Sequence, residues 1–209
     1  MKKILLILTL LLSCVWSEED SQWKSYFGVE GGVGILETTP ALFSINPSLV
    51  NGGSLRGLSY GGGILGGWQK YTSEKIGMRN TLGLRVFMAP DTKILKNQSF
   101  LGKTDFTKSA NDSITEITFY YALDGLFDFV KSGENHFGMS FGFSTEIIKA
   151  NFGRAFGFGY LLKIAPRLGF YTQFRNNIID LIVSVPLFGG DGGDIAYNST
   201  LTLGYKYLF

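Results

Sequence analysis

The chain is short of several things, and each shortage closes a route. Its one cysteine, Cys14, allows no internal disulfide and no thiolate metal cluster. Proline is scarce, at 5 in 209 residues. Charged residues make up 17%, against about a quarter in an average soluble domain. The formal charge of +2 provides no basic concentration of the kind a nucleic-acid partner requires. Long apolar runs are missing too. The stretch Ile4 to Leu12 falls short of the roughly 20 residues that carry a helix across a bilayer.

What is present in quantity is glycine (28) and aromatic side chains (Phe 18, Tyr 10, Trp 3). That mixture disfavours a helical bundle and suits extended strands, where aromatic rings pack well on a pleated surface. The start of the chain reads as an export signal: Met1-Lys2-Lys3, the apolar run, then the small residues Val15 and Ser17. Residues 1–17 are therefore expected to be cleaved, and 18–209 to form the folded body. Cys14 would leave with the signal. The alternative is that "LLSC" acts as a lipoprotein box in which Cys14 carries the lipid.

Along the rest of the chain the apolar period is two, not 3.6. Trp23, Phe27, Val29, Val33 and Ile35 alternate with Lys24, Gly28, Glu30, Gly32 and Gly34. Leu58, Tyr60, Ile64 and Trp68 repeat the pattern, as do Met78, Leu82, Leu84, Val86 and Met88 against Arg79, Thr81, Gly83 and Arg85. Ile117, Phe119, Tyr121, Leu123 and Phe127 oppose Thr118, Tyr120, Asp124 and Asp128. Four further runs follow: Phe137 to Ile147, Leu168 to Phe174, Ile179 to Val185, and Leu201 to Phe209. The connections alternate as well. Short ones fall near Thr72–Gly77, Val130–Asn135 and Arg175–Asn177; long ones cover about Glu37–Gly57, Ala89–Ser113, Lys149–Ile164 and Gly189–Asn198. The pattern predicts an all-β fold, an eight-stranded antiparallel transmembrane β-barrel with short periplasmic turns and longer extracellular loops. No linker or repeat marks a second domain.

The composition of the non-apolar face separates this from a soluble barrel. It is glycine-rich and carries both signs of charge: Glu30, Arg79, Arg85, Asp124, Asp128, Glu146, Arg175, Asp180 and Lys206. An eight-stranded barrel has an interior just wide enough for side chains. These nine residues are expected to form a lumen charge network, because an isolated ion away from water is costly. Trp23, Trp68, Tyr121, Tyr207 and Phe209 fit interfacial girdles.

Motifs that could carry chemistry are weak. Gly61, Gly63 and Gly66 match a dinucleotide fingerprint in spacing, but they lie inside an alternating strand and open no helix. "GGDGGD" would offer Asp191 and Asp194 to calcium, yet a single copy of that repeat builds no site. His136 has Ser132 and Ser140 nearby in sequence, and Ser140, four residues along a strand, is out of reach for a nucleophile–base bond. A lumen or turn histidine is the better reading. Asp91, Lys93, Lys96, Lys103, Asp105, Lys108 and Asp112 read as a solvated loop surface, and the sequons at Asn97, Asn111 and Asn198 identify no ligand. No catalytic residue, cofactor or metal is expected.

The stretch "RLGFYTQFRNNIIDLIVSVPLF", followed by a loop and "NSTLTLGYKYLF", resembles the C-terminal barrel region of the Helicobacter outer membrane protein family. The shared features are the turn at Asn176-Asn177, the Val185-Pro186 strand end and a last strand finishing in phenylalanine. The adhesin members carry a large extracellular head with paired cysteines, which this chain lacks. The resemblance implies insertion into the bacterial outer membrane. The terminal strand also resembles the signal that barrel-assembly machinery reads, which assigns that role to Leu201, Leu203, Tyr205, Tyr207 and Phe209. The expected partners are outer-membrane lipid and lipopolysaccharide, the assembly machinery during biogenesis, and an extracellular ligand that the sequence does not name. The barrel is expected to be a monomer with a structural or surface-interaction role; a narrow pore is the alternative, and a lipid-modifying enzyme a more distant one.

Overall fold

The structure, a computed structural model, describes residues 23–40, 54–90, 92–95, 106–110, 113–151, 158–186, 188–189 and 194–209. Residues 1–17, with Cys14, lie outside the described residues, as do Asn97, Asn111 and Asp191.

Among the described residues, eleven strands form one antiparallel sheet: β1 (Lys24–Pro40), β2 (Ser54–Tyr71), β3 (Ile76–Ala89), β4 (Thr92–Leu95), β5 (Phe106–Ala110), β6 (Ile114–Ser132), β7 (Asn135–Asn151), β8 (Phe158–Phe174), β9 (Asn177–Ser184), β10 (Phe188–Gly189) and β11 (Asp194–Leu208). β1 pairs with both β2 and β11, so the sheet closes on itself. The closed circuit is β1–β2–β3–β6–β7–β8–β9–β11, eight strands. The other three prolong the wall at one end. β4 pairs with Ser54–Gly57 of β2 above the point where β3 stops, β5 pairs with β4, and β10 pairs with Ile164 and Lys163 of β8.

Closure pairs the strands of the circuit with a neighbour on each side through the body of the barrel, the condition that hydrocarbon imposes on a backbone. The alternation then decides what faces where. On β3 the burial pattern is eBeBiBeBeBeBeB, with Met78, Leu82, Leu84, Val86 and Met88 outside and Arg79, Thr81, Gly83 and Arg85 inside. The outside of every circuit strand shows the same chemistry, from Phe27, Val29 and Val33 on β1 to Leu201 and Leu203 on β11. Leu203 is 58% exposed, whereas Arg79 on the inner face is 0% exposed. A soluble protein does the reverse. The inversion is what a barrel standing in lipid requires.

At the short-turn end Tyr205 donates to Asn177 Oδ1 at 2.6 Å and Lys70 lies 6.0 Å from the Trp23 ring. Such side chains suit the boundary between hydrocarbon and water. Tyr121 is not at a strand end but midway along β6, where it donates to Asn80 Oδ1 at 2.8 Å.

The strands outrun the apolar pattern at the long-loop end. β7 continues to Asn151, β8 begins at Phe158 and β11 at Asp194, all inside segments read above as loops. The physical reason is that lipid demands about 9–11 residues per strand. Beyond that depth the ladder continues with both faces free to be polar, and the periodicity fades.

Candidate functional site

The inward side chains fill the barrel in layers. Nearest the short turns is an apolar plug of Tyr26, Leu65, Leu126, Tyr171, Ile178 and Leu208, with Tyr71 packed against it. A polar knot is set into the plug. Asp128 accepts hydrogen bonds from Tyr71 (3.3 Å) and Tyr171, and meets His136 Nδ1 at 2.5 Å. The His136 ring stacks on Tyr71 with centroids 4.8 Å apart. Four strands, β2, β6, β7 and β8, meet at this one carboxylate. A bulge between Asp128 and Val130 closes the same part of β6.

Above the plug, Asp180 bridges Arg79 (3.1 Å) and Lys206. Arg79 is held further by two bonds to Gln69 Oε1, at 3.2 and 3.1 Å, and Gln69 in turn bonds Gln173 at 2.9 Å. Glu146 forms a second bridge, to Arg85 at 2.8 Å and Lys163 at 3.1 Å, and Ser144 donates to its other oxygen. Arg167 pairs with Asp124 at 3.4 Å. Between these groups stands Tyr120, 1% exposed, with the Arg85 and Arg167 guanidinium carbons 5.1 and 5.6 Å from its ring centre. Its ring lies over Gly83, the residue opposite it in the ladder, and any Cβ there would collide with the ring. Glu30 faces the same tyrosine and Arg85. Near the long-loop end Asn198 donates to Glu116 (2.7 Å) and accepts from Ser59 (3.0 Å). Opposite it on β1 is buried Leu36, which clusters with buried Ala89 and Ile114.

Eight of the nine charges assigned to the lumen from sequence are on the inner face: Glu30, Arg79, Arg85, Asp124, Asp128, Glu146, Asp180 and Lys206. Arg175 is not, and its assignment is corrected. It is exposed in the β8–β9 turn with φ 53°, because the alternation that counted it inward stops where the strand turns. The sequence reading also missed Lys163, Arg167 and Glu116, which complete the pairs. Extending the parity of Leu168 and Phe170 backwards through Ile164 and Leu162 would have placed Lys163 and Arg167 inside. Asn198, read as a loop sequon, has its side chain buried at 3% exposure. Gly61, Gly63 and Gly66 lie within β2, and no helix follows them. Neither Ser132 nor Ser140 bonds to His136, whose side-chain partner is Asp128. The lipid-facing set Leu201, Leu203, Tyr205, Tyr207 and Phe209 is exposed along β11, with Tyr207 and Phe209 in edge contact at 5.5 Å.

Chemically this is an electrostatic core: among the described residues the acid–base pairs of the inner face are enclosed, and no group of three potential metal ligands converges.

No known protein-family profile matches the chain, and no curated protein does. Among solved structures, it is similar to neisserial surface protein A (NspA): 12% identity, 91% of this chain against 100% of that one, TM-score 0.45. It is also similar to the attachment invasion locus protein Ail of Yersinia pestis, solved with the heparin analogue sucrose octasulfate: 12% identity, 89% against 99%, TM-score 0.44. A third is the outer membrane protease OmpT of Escherichia coli: 9% identity, 89% against 97%, TM-score 0.40. The barrel assignment rests on this chain's own closed ladder.

Proposed function

We propose that this chain is a small bacterial outer-membrane barrel whose work is done at its extracellular end, with the wall serving as a rigid mount. The observation that carries this reading is the filled lumen. Arg79, Tyr120, Glu146, Lys163 and Lys206 are each at most 2% exposed, and apolar side chains lie above and below them. A lumen packed in this way offers no solute path, which leaves the loop-bearing rim as the place for interaction. The finer reading, kinship with the Helicobacter outer membrane protein family, is supported by the turn–strand–Val-Pro–terminal-strand pattern of residues 167–209. On this reading the barrel acts as a monomer in lipopolysaccharide and lipid, and no catalysis is assigned to it.

The test has two arms. Folded protein in a planar bilayer is expected to be electrically silent, and steady unitary conductance would overturn the proposal in favour of the pore. Binding of host-surface and envelope components is then compared between the intact barrel and a variant with the 41–53 and 90–113 connections shortened. Binding that survives the shortening would place the interaction elsewhere.

A further inference from the structure

The circuit has one weak line. β11 is paired with β1 along its whole length, to Pro40↔Asp194, but its ladder with β9 ends at Thr200↔Ser184. Above that point β10 pairs with β8 and, among the described residues, not with β11. Among the described residues, the outer part of β11, Asp194–Ser199, therefore has ladder partners on one side only.

The cause can be read from the hydrogen-bond parity of β9. Val185 N–H donates to Pro166 C=O on β8 at 3.2 Å. Successive residues of a strand aim their backbone groups to opposite neighbours, so residues 184 and 186 face β11. Continuing the register from Thr200↔Ser184, residue 186 would pair with Asn198. Residue 186 is proline and has no N–H to give. The Asn198 carbonyl accepts instead from the Lys163 ammonium, reaching across from β8 at 3.4 Å. Lys163 is anchored by Glu146, and the Asn198 side chain by Glu116 and Ser59. Outside the seam are the apolar Leu162, Ile164 and Val185; inside are the buried Lys163 and Asn198.

We propose that Pro186 cuts the barrel wall here into a lateral seam, facing the outer half of the bilayer, and that Lys163 is its latch. Releasing Lys163 from the Asn198 carbonyl frees the outer part of β11 to swing about Thr200 on its β1 side. The ladder below stays closed. An unpaired edge elsewhere in a membrane barrel would be a liability; here the missing donor is replaced by a side chain that can let go.

The experiment is hydrogen exchange of the folded chain in phosphatidylcholine nanodiscs, read by peptides covering 194–199 and 200–207. Four proteins are compared: the unaltered chain, K163M, P186A and the double variant. The 194–199 peptide is expected to exchange about tenfold faster in K163M, with 200–207 unchanged. P186A restores a donor opposite Asn198 and is expected to slow exchange of 194–199. In that background K163M should have little further effect on this peptide, although it still removes the pair to Glu146. K206M, which breaks a cation–carboxylate contact elsewhere in the lumen, should leave 194–199 unchanged. An equal effect of K163M with and without P186A would overturn the latch, as would acceleration spread evenly over both peptides. If K163M does not fold, P186A alone decides: unchanged exchange at 194–199 rejects the seam.

Discussion

Asp180 shows how much a single side chain carries in this lumen. Its carboxylate is the shared partner of Arg79 and Lys206, all three nearly sealed from water. Removing one partner of a buried pair leaves the rest uncompensated, typically at about 3–5 kcal/mol. Asp180→Asn is therefore expected to lower the unfolding free energy of the barrel, read from urea titration in detergent micelles, by an amount in that range. A change within a few tenths of a kcal/mol would show that the pair is dispensable. Gly83 makes a steric counterpart. Gly83→Ala drives a Cβ into the Tyr120 ring and should cost about 1–3 kcal/mol, the usual penalty for overpacking. The same unfolding assay checks it, and Tyr120→Leu in the same chain should recover part of the loss. Arg175, by contrast, sits in the left-handed region with φ 53° and its side chain in solvent. Arg175→Gly should be neutral or stabilise by up to about 1 kcal/mol.

At the scale of elements, β11 is the one with two duties. Its inner face contributes Thr202 and Lys206 to the lumen and its outer face Leu201, Leu203, Tyr205, Tyr207 and Phe209 to lipid. A charge at Leu203 should cost about 2–4 kcal/mol if it sits near the bilayer midplane. Phe209 lies at the strand end, where the cost in the folded barrel is smaller, so an effect on assembly can be separated from one on stability. Phe209→Asp is expected to reduce surface levels more than the equivalent change at Phe100 in the 90–113 connection. Equal levels of the two variants would refute an assembly role. The elements also show how far the sequence could be read. Strand identity and facing were legible wherever hydrocarbon enforces alternation, as on β3 and β11. Strand ends were not. Lys163, Glu116 and Asn198 lie near the long-loop ends of their strands, where the alternation runs for only a few residues and polar residues on a strand look like polar residues in a loop.

At the scale of the whole molecule, closure makes the prediction. Unboiled protein should migrate differently from boiled protein on a detergent gel, since a ladder closed through the body of the barrel resists unfolding by the detergent alone. Identical mobilities, with the protein recovered in soluble form, would contradict a membrane barrel. By itself the sequence determined the period, the facing of most side chains, the long–short order of connections and the confinement of charge to one face. All of these are local: each follows from a two-residue repeat meeting lipid on one side. The tertiary structure decided which charge pairs with which. Arg79 finds Asp180 from 101 positions away and Asn198 meets Ser59 from 139. Such partners are set by shear and closure of the barrel, which no local pattern encodes. The β9–β11 seam belongs to the same class: Pro186 is visible in the sequence, but only the register opposite Asn198 shows which bond it removes.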